Sequence, residues 1–208
     1  MHVRYVGHSC LSIEMAGQRI LTNPWWDGPA YDGLWCPHHP RVEENDPEMV
    51  SLVFITDEGE DHLHVPTLRS LSRQATILVP RMRDLTLRDF LISIGFQNVI
   101  EMAHQRTYEA TPGVLATLYR HGEGNLLTLQ GDGRTVLHAN SAVQTGRLPA
   151  LLRTSRIIQS RHASIDVMFA SRHNHSWVPD CVSFQDDTQA DARQWDKKAE
   201  LRFLELVA

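Results

Sequence analysis

The chain has 208 residues, of which 42% are hydrophobic and 22% are charged, an ordinary composition for a globular protein with a substantial core. Its net charge of −5 and the lack of a basic block argue against nucleic acid as a partner. No apolar run approaches the ~18 residues of a membrane-spanning helix, and the first ten residues lack a signal peptide's apolar centre. We therefore expect a single domain over residues 1–208 that contacts neither nucleic acid nor membrane.

The three cysteines are an odd number, lie far apart in the chain and form no C-x-x-C pair. This pattern is typical of a reduced, cytoplasmic protein rather than of a disulfide scaffold. The chain also contains twelve histidines, which justify a search for a metal site or an acid–base site.

The first half of the chain alternates apolar runs with turn signals and predicts a sheet covered by helices. Strands are predicted over residues 2–6, 10–14, 19–22, 52–55, 76–79 and 98–102. Helices are predicted over residues 65–71, with Pro66 near the first turn, and over 85–94, closed by Gly95.

The second half repeats the order of strands followed by helices. Strands are predicted over residues 107–110, 114–119, 125–130, 134–138 and 165–170, with the GDG turn joining the third to the fourth. A helix is predicted over residues 147–157, and a long amphipathic helix from residue 187 onward.

Residues 23–46 are rich in proline, glycine and aromatic residues, and they match no regular element. Loops of this length are usually functional or disordered, and four aromatics argue against disorder. Trp26, Tyr31 and Trp35 are therefore predicted to line a substrate pocket, although aromatics that merely pin the loop to the core would give the same pattern.

An acidic loop follows the predicted strand at 52–55, and it reads DEGEDH over residues 57–62. Four carboxylates this close repel one another unless water, hydrogen-bond donors or a cation compensates. Open α/β sheets bind ligands at the carboxyl ends of their strands, so this loop is the candidate site.

Four segments in order resemble the metallo-β-lactamase superfamily. They are VGHSCLSIEMAGQRILTNP, like the opening meander; ITDEGEDHLH, like the His-x-His-x-Asp-His signature; LYRHGEGNLLTL, like the segment with the third histidine; and GDGRTVLHANS, like the hairpin before a bridging aspartate. The resemblance implies a four-layer αβ/βα sandwich. Trp-Trp-Asp-Gly-Pro, Trp35 and His-Ala-Asn further resemble the branch containing CMP-N-acetylneuraminate hydroxylase and related hydrolases.

The departures from that pattern concern the metal ligands. Asp57 and Gly59 stand where the signature has its first two histidines, Ser141 stands at the bridging aspartate, and Asn23 replaces the aspartate of Asp-Pro. Because glycine supplies no ligand and serine is a poor one, we expect the ordinary two-zinc centre to be absent.

Three interpretations remain. The first is a hydrolase-like enzyme with one divalent ion, zinc or iron, held by Asp61, His62 and a distal histidine (His121, His173 or His175), with or without Asp57 as a further ligand. An iron ion there would equally suit an oxygenase. The second is a metal-free cleft in which Asp57 or Asp61 works with His62 as acid and base. The third is an inactive homologue that serves as a binding or partner subunit, or assembles with itself.

We favour the first interpretation, with a small molecule as substrate. Its predicted catalytic residues are Asp57 and Asp61, and its predicted metal ligands are Asp61, His62, His121 and His175. A Rieske centre is not expected, because Cys36-Pro37-His38 supplies only half of the pattern and neither Cys10 nor Cys181 has a histidine three residues later. His138 is expected in the core.

Overall fold

The computed structural model describes residues 1–26, 28–36, 46–82, 86–122, 124–140 and 148–170. The chain divides into two compact units, the first made of Met1–Tyr119 with Leu127–Arg134 and the second of Arg120–Leu126 with Thr135–Ala208. The predicted C-terminal helix, His173, His175 and Ser141 lie outside the described residues.

The first sheet belongs to the first unit and has six strands in chain order. They are β1 (His2–Gly7), β2 (Cys10–Met15), β3 (Gln18–Thr22), β4 (Leu52–Phe54), β5 (Thr76–Pro80) and β6 (Asn98–Met102). β1, β2 and β3 pair antiparallel as a meander, and β3 to β6 pair parallel. All six predicted strands are confirmed.

This strand order puts five strand ends on one edge of the sheet. β1 and β3 are both antiparallel to β2, so they run in the same direction, and β4, β5 and β6 continue it. The residues that follow β1, β3 and β4 therefore meet at the carboxyl edge, where parallel sheets place their ligands.

Burial explains why β4 is apolar throughout. Leu52, Val53 and Phe54 of β4 are all fully buried. A parallel strand covered on both faces shows such a continuous apolar run instead of an alternating one.

Two helices follow strands of the first sheet. α1 (Val65–Arg69) begins after His64, whose ring accepts a hydrogen bond from the backbone N–H of Thr67, and Pro66 lies in its first turn as predicted. α2 (Thr86–Ser93) ends two residues before Gly95, whose φ of 106° only glycine adopts readily.

The second sheet has five strands in the order β11-β10-β9-β8-β7. They are β7 (Thr107–Thr111), β8 (Val114–His121), β9 (Gly124–Gly131), β10 (Arg134–Asn140) and β11 (Val167–Ala170), and α3 (Leu148–Arg161) precedes β11. Asp132 and Gly133 join β9 to β10 with positive φ at both positions, as a type I′ hairpin turn requires. The predicted hairpin is confirmed.

Candidate metal centre

Three histidine and aspartate side chains converge at the carboxyl edge of the first sheet. The Nε2 atom of His8, directly after β1, lies 2.7 Å from Oδ2 of Asp61 in the acidic loop. The Nε2 atom of His62 lies 3.6 Å from the same oxygen. One ligand atom from each of the three residues lies within 4.8 Å of the others.

This donor set fits a divalent ion. Asp61 and His62 are buried and His8 is partly buried, so an ion between them would exchange part of its water shell for protein ligands. Two imidazoles and one carboxylate form both a common zinc ligand set and the facial triad of non-haem iron.

Asp57 fixes the orientation of His62. Both carboxylate oxygens of Asp57 lie 2.7 Å from Nδ1 of His62. With Nδ1 occupied in this way, Nε2 is the nitrogen that faces Asp61. A carboxylate on the far nitrogen of a metal-binding histidine sets its tautomer and raises its basicity.

A chain of hydrogen bonds also holds the carboxylate of Asp57 in place. The Asn23 amide donates to the Thr56 hydroxyl at 3.0 Å, and that hydroxyl donates to Asp57 at 2.8 Å. The backbone N–H of Gly59 donates to the other carboxylate oxygen at 3.0 Å. Asn23 follows β3 and Thr56 follows β4, so the ends of two neighbouring strands hold the Asp57 carboxylate in place.

The charges of the cluster stabilise one another. Burial disfavours ionised Asp61, but the His8 hydrogen bond, the charge of His62 and the Tyr31 hydroxyl outweigh burial and lower the pKa of Asp61. Burial likewise opposes ionisation of Asp57, and contacts with His62 still bring the pKa of Asp57 below its ordinary value. Burial lowers the pKa of His62, yet the hydrogen bond and charge of Asp57 and the charge of Asp61 raise it overall.

Tyr31 closes one side of the cluster. Its hydroxyl donates to Oδ1 of Asp61 at 2.5 Å, and its backbone N–H donates to the Glu60 carboxylate at 2.5 Å. Burial and the hydrogen bond to Asp61 raise the pKa of Tyr31 to about 12, so the phenol remains a proton donor at neutral pH.

Gly59 leaves the space that this arrangement needs. A Cβ at position 59 would lie 2.9 Å from Oδ1 of Asp61, 3.0 Å from Oδ1 of Asp57 and 3.0 Å from the Tyr31 hydroxyl. These distances are shorter than a side chain tolerates next to fixed oxygens. The structure therefore gives a physical reason for glycine where the resemblance implies a histidine ligand.

Three residues of the site have left-handed backbone conformations, with φ of 49° at His8, 39° at Asn23 and 54° at Tyr31. Such conformations cost about 1–3 kcal/mol each in residues other than glycine and persist only where the surroundings enforce them. Each of the three side chains hydrogen-bonds within the cluster or its support. Strain concentrated in this way is typical of a functional site.

The three predicted substrate-binding aromatics lie in different environments. Trp26 is 7% exposed, packs in the hydrophobic core, and its backbone N–H donates to the Thr67 hydroxyl. Trp35 is 48% exposed and contacts Tyr31 edge to face, with ring centroids 5.1 Å apart. Their contact with substrate stays a prediction, and Trp35 is the one among them that faces solvent.

His121 ends β8 and belongs to the second unit. Its Nδ1 hydrogen-bonds the Thr154 hydroxyl at 3.0 Å, while its buried Nε2 has no hydrogen-bond partner among the described residues. Burial lowers the pKa of His121 and so favours the neutral imidazole that a metal requires. Its role as a ligand, like that of His175, stays a prediction. His138 is fully buried and stacks on Phe169, as expected of a core residue.

Sequence reasoning missed His8 and the supporting role of Asn23. The usable signal was strand direction: in a meander, β1 runs parallel to β3, so the residue after β1 lies at the same edge as the acidic loop. The Gly7-His8 pair after the first strand was therefore a candidate for the site.

A family model described as "Beta-lactamase superfamily domain" matches residues 2–152. Among curated proteins, the cytidine monophosphate-N-acetylneuraminic acid hydroxylase of Danio rerio is 36% identical over 72 residues, which cover 34% of this chain and 12% of that protein. The hydroxylase of Cricetulus griseus is 30% identical over 76 residues, which cover 36% of this chain and 14% of that protein. The likeness thus spans about an eighth of the length of these relatives.

Solved structures share the fold at low identity. CmlA, a diiron β-hydroxylase from Streptomyces venezuelae, has a TM-score of 0.61 at 20% identity, over 80% of this chain and 33% of that one. A metallo hydrolase from Ignicoccus hospitalis has a TM-score of 0.54 at 17% identity, over 96% of this chain and 91% of that one. An isothiocyanate hydrolase from Delia radicum gut bacteria gives 0.52 at 15% identity, over 96% and 93%.

Proposed function

Because this chain belongs to the β-lactamase superfamily and has the α/β sandwich of the metallo-β-lactamase type, as predicted, we propose that it is a metal-dependent hydrolase-like protein acting on a small molecule. The observation that carries this proposal is the convergence of His8, Asp61 and His62. In this proposed site His8 would be the third ligand, a role that the sequence analysis assigned to a distal histidine.

The residues of the cluster would have different roles in the proposed site. A zinc ion there would act as a Lewis acid and lower the pKa of a bound water. His8, Asp61 and His62 would hold the ion, and Asp57 would keep His62 in the tautomer with Nε2 free. Asp57 is therefore a positioning residue in this proposal, and Asp61 is a ligand.

A second candidate function, an iron-dependent oxygenase, rests on the same donor set. Two histidines and one carboxylate are also the ligands of non-haem iron oxygenases. The identity shared with curated hydroxylases over 72 residues favours this candidate, as does a diiron hydroxylase among the structures of this fold.

The first experiment measures the metal. Protein purified without chelator is analysed for its metal content, and one zinc or iron per chain is expected, its identity separating the two candidates. His8→Ala and His62→Ala should each lower the occupancy, whereas His2→Ala, which removes an exposed histidine of β1, should not. A content well below one ion per chain, unchanged by zinc or iron supplementation, would contradict both candidates and favour a binding or partner subunit.

The second experiment measures activity. Hydrolysis of small esters and lactones should disappear on chelation and return when the metal is restored. A protein that binds zinc stoichiometrically but hydrolyses none of these compounds, alone or after metal restoration, would count against the hydrolase proposal. The predicted cytoplasmic location and assembly with a partner or a second copy stay predictions.

A further inference from the structure

The Tyr31 hydroxyl is one of three oxygen atoms that crowd the space beside Gly59 where a side chain would otherwise project. It lies 2.5 Å from Oδ1 of Asp61 and 3.0 Å from the position that a Cβ on residue 59 would take. The other oxygen of the same carboxylate, Oδ2, is the atom that His8 and His62 approach. The two oxygens of Asp61 are therefore divided between the tyrosine and the histidine pair.

We propose that Tyr31 is the positioning residue of the Asp61 carboxylate, and that Gly59 is required because it makes room for the tyrosine hydroxyl together with the carboxylates of Asp61 and Asp57. This inference rests on the proposed metal site and adds a function for a residue that the sequence analysis assigned to substrate binding. A hydrogen bond to Oδ1 fixes the rotation of the carboxylate and so aims Oδ2 at the ligand position. Partners of this kind orient metal-binding carboxylates as they orient metal-binding histidines.

The loop around Tyr31 is built to hold the hydroxyl in place. Ala30 and Trp35 exchange backbone hydrogen bonds of 2.8 and 3.2 Å and so close a tight turn. The N–H of Tyr31 donates to Glu60, and the carbonyl of Pro29 accepts from the His64 ring at 3.3 Å. Three contacts from one loop to the acidic loop and its continuation thus fix the tyrosine, and the left-handed φ of Tyr31 is maintained by them.

Metal affinity tests the inference directly. Tyr31→Phe keeps the ring and removes only the hydroxyl, so it should weaken Zn²⁺ binding by about 10- to 100-fold, measured by competition with a chromophoric chelator. The visible absorption of the Co²⁺-loaded protein should also change, because the carboxylate no longer has one fixed orientation. Tyr5→Phe, which removes a hydroxyl from an exposed residue of β1, should leave both measurements unchanged.

Gly59→Ala tests the second part of the inference. The added methyl group must displace the Tyr31 hydroxyl or one of the two carboxylates, so Zn²⁺ affinity should fall by a similar factor. In the double variant Tyr31→Phe with Gly59→Ala, part of the conflict is already removed, and the two losses should not add. Unfolding of the chelator-treated protein should show the same non-additivity without any metal.

The outcomes separate this inference from the proposed function. If wild-type protein binds no zinc or iron, the proposed metal site fails and the positioning role fails with it. If wild-type protein binds metal and Tyr31→Phe binds it equally tightly with an unchanged Co²⁺ spectrum, only this inference is overturned. Strictly additive effects of the two substitutions on affinity and on unfolding would overturn the assignment of Gly59.

Discussion

Asp57 is a carboxylate whose neighbours determine what it does. It stands where the resemblance implies a histidine ligand, yet both of its oxygens contact Nδ1 of His62 and it also accepts hydrogen bonds from Thr56 and Gly59. Its lowered pKa keeps it ionised above the acidic range, so it stabilises a His62 that bears a proton on Nδ1. In the proposed metal site, Asp57 would therefore support the ligand His62 instead of being a ligand itself.

Asp57→Asn should weaken metal binding, because a neutral amide oxygen is a poorer partner for the imidazole N–H. A loss of about tenfold or more in Zn²⁺ affinity is expected, measured by chelator competition. Glu58→Gln removes the same charge from the neighbouring exposed position and is the matched control. Equal losses in the two variants would mean that Asp57 contributes only its charge to the loop.

The two cysteines that the structure describes, Cys10 and Cys36, should differ sharply in reactivity. Cys10 is fully buried, and burial raises the pKa of its thiol to about 12, whereas Cys36 is exposed. Because the thiolate is the reactive form, iodoacetamide at pH 8 should label Cys36 in the native protein and Cys10 only after unfolding. Mass spectrometry of the peptides distinguishes the two sites, and rapid native labelling of Cys10 would contradict its burial in β2.

At the residue scale, the sequence predicted part of the site. The acidic loop was predicted as the site from its place after a buried strand, and the family resemblance singled out Asp61 and His62 within it. The structure puts these two residues side by side. His8 was not predicted as a ligand because the family resemblance did not mark it, and only the direction of β1 brings it to the same edge as Asp61. Tyr31 was noticed as an aromatic residue, whereas its contact with Asp61 depends on a left-handed turn that no sequence period reveals.

At the level of elements, turns and apolar runs predicted the strands well, and the differences have local causes. β11 begins at Val167, two residues later than predicted, because the Asp166 side chain accepts the hydrogen bond from the backbone N–H of Thr135 at 2.8 Å, a donor that a longer strand would pair with a backbone carbonyl. α3 continues to Arg161, past the predicted end at residue 157, since Ile158 is fully buried and extends the apolar face.

The Thr67 hydroxyl links Trp26 to the start of α1. Thr67 accepts from the backbone N–H of Trp26 at 3.2 Å and bonds the His64 ring that caps α1 at 2.9 Å. Thr67→Val keeps the shape and leaves buried groups without their partner, which should cost about 1–3 kcal/mol of unfolding free energy. Thr76→Val, the same change at a half-buried position of β5, should cost much less in chemical denaturation. Similar values for the two variants would contradict the role of the Thr67 hydroxyl.

At the scale of the molecule, no described helix combines the length and apolarity that crossing a membrane requires. Within the described part of the second unit, the buried His162 is expected to make stability depend on pH. Burial, aided by the charge of Arg161, lowers the pKa of His162 below its ordinary value of 6.5.

The sign of this dependence follows from which state binds the proton. Between the lowered pKa and about 6.5, the unfolded chain is protonated at residue 162 while the folded chain is not, so stability falls as the pH falls through that window. In urea denaturation, lowering the pH from 7.5 to 5.5 should therefore destabilise the wild type more than His162→Gln. His2→Gln, at an exposed histidine, should show no such shift; a parallel pH profile for His162→Gln would contradict the prediction.

The position of His8 gives the proposed ion a mechanical consequence. An ion shared by His8 and the acidic loop would act as a removable cross-link between the first hairpin and the centre of the sheet, closing a chain segment of 53 residues. At a free metal concentration one hundred times the Kd, the free energy of openings that break the site would rise by about 2.7 kcal/mol. Amide hydrogen exchange in β1 should then slow far more than exchange in β6 at the opposite edge, and equal slowing of both would show that the hairpin never opens alone. The ligand atoms that hold the ion for the proposed reaction would thus also tie β1 to the rest of the sheet.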